Sequence, residues 1–159
     1  MVLELIFGFC LIALIYHYVG FPILLKLSSR GKKQNLNIWA SAGELPTVAI
    51  MMAAYNEEAV IEEKIQSLLK TSYPRDKIHL FIGSDASTDG TDVIIEKYQL
   101  LNSNIYFKRF PGRTGKPQII DNMMSDVKAE ILILTDANVI FKEDSIYELV
   151  KHFREENIG

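Results

Sequence analysis

The hydrophobic pattern divides the chain into one long apolar block and a series of short alternating segments. From Val2 to Leu27 the sequence is apolar, its polar interruptions limited to Glu4, His17, Lys26 and a few amphipathic tyrosines. A run of that length crosses a hydrocarbon core of roughly 30 Å as a helix. Beyond the polar stretch "RGKKQNLNIWASAGELP", short apolar runs alternate with amphipathic ones, the arrangement that βαβ units produce. Strands are predicted at 47–54 ("TVAIMMAA"), 78–84 ("IHLFIGS"), 105–110 ("IYFKRF") and 131–136 ("ILILTD"). Between the first two strands, Asn56 is placed as a helix N-cap, Glu57 and Glu58 suit the positive helix end, and Ile61, Ile65, Leu68 and Leu69 share one face. A second helix follows "TDGTD" with Ile94, Tyr98 and Leu101 inward. Pro117 falls in the first turn of a third helix, which buries Ile120, Met123 and Val127. A last helix over roughly 143–154 buries Ile146, Leu149, Val150 and Phe153. The expected organisation is a transmembrane helix at 1–29, a linker at 30–45 with Trp39 at the membrane interface, and an α/β domain at 46–159.

Charge sharpens this division. Residues 1–33 carry Lys26, Arg30, Lys32 and Lys33 against Glu4, a net +3, so the remainder of a chain with net charge −3 carries −6. The basic cluster follows the apolar run, whereas a cleavable signal peptide, the alternative for this segment, places its charges first. Keeping Arg30, Lys32 and Lys33 on the cytoplasmic side puts the globular part in the cytoplasm. The acidic remainder has no basic excess to recommend nucleic acid as a partner. The single cysteine, Cys10, lies inside the apolar run, so no internal disulfide forms. His17, His79 and His152 are scattered over separate elements and receive no catalytic role, and the acidic face of "EEAVIEEK" reads as a solvated helix surface.

In a parallel sheet all strands deliver their C-terminal ends to one edge, where ligands collect. The residues expected there are Ala54, Tyr55, Asn56 and Glu57 after the first strand, and Ser84 and Asp85 after the second. The third strand contributes Arg113 and Lys116, and the fourth Asp136 and Asn138. This set combines an aromatic ring, carboxylates, two cations for phosphate oxygens and oxygen ligands for a hard metal, the requirements of a nucleoside diphosphate. Each residue also has a plainer reading: Tyr55 as a packed loop aromatic, Glu57 as a first-turn carboxylate, Asp85 as a turn residue of "SDASTDGT", and Asp136 with Asn138 as turn formers ending a strand. Asp89 fits a turn or cap better than a site. "GRTGKP" could be a solvated basic loop; its spacing, and the absence of Ser or Thr after the lysine, exclude a Walker loop.

The segments "VAIMMAAYNEEAVIEEKIQSLL", "IGSDASTDGT", "RTGKPQIIDNM" and "ILILTDANV" resemble, in order and spacing, the successive motifs of the family 2 glycosyltransferases over roughly residues 46–155. The resemblance implies a Rossmann-like GT-A fold, a nucleotide-sugar donor such as a UDP-sugar, a divalent metal (Mg²⁺ or Mn²⁺) and inverting transfer to a hydroxyl of a glycan or lipid-linked acceptor. Carried over by position, Ala54, Tyr55 and Glu57 lie beside the base and ribose, Asp85 accepts a hydrogen bond from the base, and Arg113 and Lys116 meet the diphosphate. Asp136 and Asn138 take the Asp-x-Asp position, where alternate residues of an extended strand end point the same way. The second member departs from the pattern: an Asn carbonyl is an oxygen ligand without charge, which weakens the hold on a metal. In the family the general base is a carboxylate well downstream of this motif, so the base is expected beyond Gly159 and the chain reads as a donor-binding half. The alternative is a non-catalytic remnant or nucleotide-binding subunit with the same fold.

Overall fold

The computed structural model describes residues 1–31, 38–39 and 42–154. The chain divides into two compact units, residues 1–36 and 37–159.

The first unit is a continuous helix, α1 (Val2–Ser28), 27 residues long and exposed along its whole length. At ~1.5 Å per residue it measures about 40 Å, enough to span a bilayer core with tilt. Its ladder widens into a π turn over Tyr16–Gly20, just before Pro22. A proline has no N–H to return to the carbonyl four residues back, which accounts for the widening there. Lys32 and Lys33 of the basic cluster, and half of the expected linker, lie outside the described residues.

The second unit is a four-stranded parallel sheet with helices on both faces. Its strands are β1 (Val48–Ala54), β2 (Ile78–Ser84), β3 (Ile105–Arg109) and β4 (Ile131–Leu134), in the order β3-β2-β1-β4. The register pairs Ala54 with Ser84 and Met51 with Leu134. Central β1 is buried at every position but Ala53. That explains its solid apolar run, since a strand covered on both faces has no reason to alternate. On one face Val48, Ile50, Met52 and Ala54 pack with Ile61, Ile65 and Leu68 of α2 (Glu58–Leu69), Ile95 of α3 (Thr91–Leu101), and Ile146 and Val150 of α5 (Ser145–Val150). On the other, Ala49, Met51 and Phe81 receive Ile119, Ile120 and Met123 of α4 (Lys116–Met124). Gly83 makes that contact possible: a Cβ there would lie 2.3 Å from Ile119 Cγ2.

Several expectations need correction. Leu101 is exposed, because the inward position of α3 is Ile95 and Leu101 lies about 120° further round the helix. The last helix is shorter than 143–154; Leu149 turns outward and Phe153 falls past its end. Trp39, expected in the linker, is partly buried against the core of the α/β unit, and its carbonyl accepts a hydrogen bond from Tyr147 Oη at 3.1 Å. Lys64, read as part of a solvated acidic face, is fully buried.

Candidate active site

The chain runs from β1 outward through β2 to β3 and then crosses back to place β4 on the other side of β1. That reversal opens a crevice beyond the C-terminal ends of β1 and β4, the position where open α/β sheets bind ligands. A cleft of about 320 Å³ lies there, lined by Ala53, Ala54, Tyr55, Glu57, Asp85, Arg113, Gly115, Lys116, Asp136, Ala137 and Asn138. Of the residues selected from the sequence, Ala54, Tyr55, Glu57, Asp85, Arg113, Lys116, Asp136 and Asn138 border this one cavity although they come from four separate loops, while Asn56 and Ser84 do not line it. Its size is at the lower end of the roughly 300–1,000 Å³ of small-molecule sites.

The first two loops are welded together. Asn56 does not cap α2; its backbone is left-handed (φ 53°), its N–H donates to Ser87 Oγ at 3.2 Å, and its Oδ1 accepts from the Thr88 N–H at 2.8 Å. The N-cap position belongs to Glu57, whose own N–H donates to Thr91 Oγ1 at 2.8 Å. The free N–H of Glu58 is taken by Asp89 Oδ2 at 3.2 Å, and Glu58 Oε2 accepts from the Gly90 N–H at 2.9 Å. Asp89 thus acts as a remote cap, and hydrogen bonds led by the Thr91 hydroxyl hold its carboxyl below the ordinary value. These ties settle the turn that presents Tyr55 and Glu57 to the cleft.

Asp85 organises the next loop. It is 4% exposed and accepts hydrogen bonds from the Thr114 N–H at 2.6 Å, the Gly115 N–H at 3.2 Å and Arg113 Nε at 3.1 Å. Burial alone would raise its pKa, but the bonds from Thr114, Gly115 and Arg113 outweigh burial and bring it below 3.8. Gly115, at φ 85°, takes the left-handed conformation that lets two successive N–H groups turn toward this carboxylate. The Arg113 guanidinium lies 3.3 Å from the centroid of the Tyr55 ring, so Asp85, Arg113 and Tyr55 form one stacked and ion-paired assembly.

Lys116 and Asp136 form an ion pair across the cleft mouth. Asp136 and Asn138 do not sit on an extended strand end: β4 stops at Leu134 and the chain turns, with the Val139 N–H donating to the Asp136 carbonyl at 3.3 Å. The alternate spacing read from the sequence therefore acts through a turn rather than a pleat. Both side chains still border the cleft. They offer one carboxylate and one amide oxygen, a donor set suited to a hard cation completed by phosphate oxygens and water; no cluster of three or more His, Cys, Asp or Glu forms a cage among the described residues.

Lys64 was missed by the sequence reading. Its ammonium donates to Thr135 Oγ1 at 3.0 Å and to the Val139 carbonyl, and lies 4.1 Å from the centroid of the Phe141 ring. Desolvation lowers its pKa to about 8, partly opposed by the attraction of Asp136. A signal was present: Ile61, Lys64, Ile65 and Leu68 follow the i, i+3, i+4, i+7 spacing of a buried stripe.

A parallel, doubly covered sheet with its strand-end loops gathered at the switch point, an Asp-x-Asn turn facing a Lys-bearing loop, defines a GT-A type of α/β fold. The chain belongs to glycosyl transferase family 2, whose family model matches residues 49–159. The beta-monoglucosyldiacylglycerol synthase of Synechocystis sp. is 30% identical over 122 residues, 76% of this chain and 26% of that protein. Among solved structures, the mannosyltransferase PcManGT from Pyrobaculum calidifontis, in complex with GDP-Man and Mn²⁺, superposes with a TM-score of 0.75 at 26% identity, covering 93% of this chain and 44% of that one. Staphylococcus aureus TarS 1-349 in complex with UDP-GlcNAc shares the fold, with a TM-score of 0.60 at 22% identity over 65% of this chain and 30% of that one. The chain thus spans about a quarter of the length of the curated relative and less than half of either structure.

Proposed function

We propose that this chain is the donor-binding part of a membrane-anchored glycosyltransferase, holding a nucleoside-diphospho-sugar, a UDP-sugar, for inverting transfer to a hydroxyl of a glycan or lipid-linked acceptor. The observation that carries this reading is the convergence of Tyr55, Glu57, Asp85, Arg113, Lys116, Asp136 and Asn138 on one cleft of about 320 Å³. The relatives support the reaction class, and the Synechocystis enzyme's lipid product supports a lipid-linked acceptor. α1 supports the anchor, and the charge that follows it supports a cytoplasmic active site.

In this reading the base and ribose lie along Ala54, Tyr55 and Glu57, with Asp85 holding the 113–115 loop in place beside the base. Lys116, released from Asp136, meets the diphosphate together with Arg113. The acceptor oxygen attacks the anomeric carbon as the bond to the diphosphate breaks, and its proton passes to a carboxylate that the family resemblance places downstream of the Asp-x-Asp position. Fixed cations aimed at the leaving diphosphate lower the barrier by meeting charge as it develops. Asp136 and Asn138 would hold a Mg²⁺ or Mn²⁺, which supplies Lewis-acid neutralisation of phosphate charge when bound.

Calorimetric titration of the full chain in detergent with UDP, with and without Mn²⁺, tests the reading. Wild type should bind, Lys116→Ala and Asp85→Ala should lose at least about tenfold in affinity, the scale of a lost charge-assisted contact, and Asp136→Ala should lose the Mn²⁺-dependent part while keeping its fold. Unchanged affinity of Asp136→Ala in Mn²⁺ would refute the metal assignment; no heat from wild type would refute the donor site.

A further inference from the structure

The buried lysine behind the Asp136 turn has no role in the reading above, and its surroundings give it one. A lysine in the apolar stripe of a helix is costly, since removing an ammonium from water carries a penalty of several kcal/mol even after relaxation. Lys64 is nonetheless 0% exposed. Its three N–H donors are matched by three acceptors, the Thr135 hydroxyl, the Val139 carbonyl and the face of the Phe141 ring. All three belong to one seven-residue segment, 135–141, and they bracket Asp136 and Asn138.

Part of that segment is fixed without the lysine: Thr135 and Ala137 are buried, and the Thr135 N–H donates to the Met51 carbonyl at 3.1 Å. The outer part is less secured: the backbone supplies the Val139 N–H to Asp136 carbonyl bond at 3.3 Å, and Asp136, Asn138, Val139 and Ile140 are exposed. The neighbouring Ser67, one turn further along α2, adds a second tie by accepting the Phe141 N–H at 3.2 Å. The face of α2 opposite the sheet edge therefore acts as the bracket on which the turn hangs, with the ammonium at its centre.

We propose that Lys64 is a positioning residue for donor binding: its buried ammonium clamps the 135–141 segment so that Asp136 and Asn138 face the cation carried by the nucleotide diphosphate. The inference rests on the donor-site reading and deepens it. Lys64 touches neither nucleotide nor metal; it acts through Thr135 and Val139. Asn138 contributes no charge, so the pair depends more on fixed geometry than two carboxylates would. A neutral side chain at 64 would remove the donors that hold Thr135 and Val139 and let Asp136 and Asn138 swing out of line with the cation. The base-binding residues Tyr55 and Asp85 belong to other loops and are unaffected.

The experiment compares wild type and Lys64→Met, full chains in detergent, by thermal melting and by calorimetric titration with UDP in Mn²⁺ and in EDTA. Methionine matches the lysine stem and removes the buried charge, a change that is often neutral or stabilising. The expected result is an unchanged or higher melting temperature, a loss of about 10–100-fold in affinity in Mn²⁺, the range seen when groups supporting metal ligands are lost, and affinity in EDTA that stays the same. A structural filler would not divide the two conditions. Equal affinity in both proteins, or an equal loss with and without Mn²⁺, overturns the proposal while leaving the donor site standing; absence of UDP binding by wild type overturns both. Should Lys64→Met fail to fold, Lys64→Gln, which keeps one donor, is measured in its place, and failure of both to fold makes Lys64 a folding element and overturns the proposal.

Discussion

Asp85 shows how a residue chosen for one task can carry another. The sequence singles it out as a ligand for the base, yet in the structure its oxygens already hold the 113–115 loop through two backbone N–H groups and Arg113 Nε. Because these bonds favour the carboxylate, its folded pKa lies below its unfolded value, so the stability it contributes is present above about pH 4 and is lost as pH falls through the folded pKa. The stability difference between wild type and Asp85→Asn should therefore be constant near neutrality and shrink below pH 4; denaturation midpoints between pH 6 and pH 2 check this, and a constant difference down to pH 2 would contradict it. Lys64 is the complementary case. Its residue type argued for the surface and its position in the stripe argued for the core, and position decided.

At the scale of elements, the strands were legible almost to the residue, because each carries its own periodicity and its own stop signal, whereas helix ends were not: the last helix is six residues rather than the expected 143–154. The four strands begin within one residue of their predicted starts, and β3 and β4 end one and two residues early. Helix faces were less legible, as Leu101 and Leu149 show, since an apolar residue near a helix end can fall on either side of the stripe. The seat of α4 on the sheet was not visible at all. It depends on Gly83, where a Cβ would lie 2.3 Å from Ile119 Cγ2 and 2.7 Å from Met123 Sδ. Gly83→Ala should push α4 outward and cost about 1–3 kcal/mol, the usual range for overpacking. Since Lys116 opens α4, UDP affinity should fall as well. An unaltered melting temperature would show that the helix yields without cost.

At the scale of the molecule, the two units differ in the surface they expose. The α/β unit encloses two apolar clusters on either side of β1. α1 leaves every side chain exposed over 27 residues, which water disfavours and lipid does not. The full chain should accordingly remain with membranes after an alkaline wash, and removal of residues 2–31 should release it to the supernatant; recovery of the intact chain in the supernatant would remove the anchor from the proposal. Local pattern alone determined that an apolar helix precedes an α/β unit of four strands, and which residues stand after each strand, because hydrophobic period and turn chemistry act between neighbours in the chain. Only the tertiary structure decided the strand order that opens the cleft, the capture of Asp85 by the 113–115 loop, the turn in place of a pleat at Asp136, and the burial of Lys64. Each of these is a contact between residues about 30 to 75 positions apart or a consequence of one, and no short-range pattern encodes which distant groups will meet.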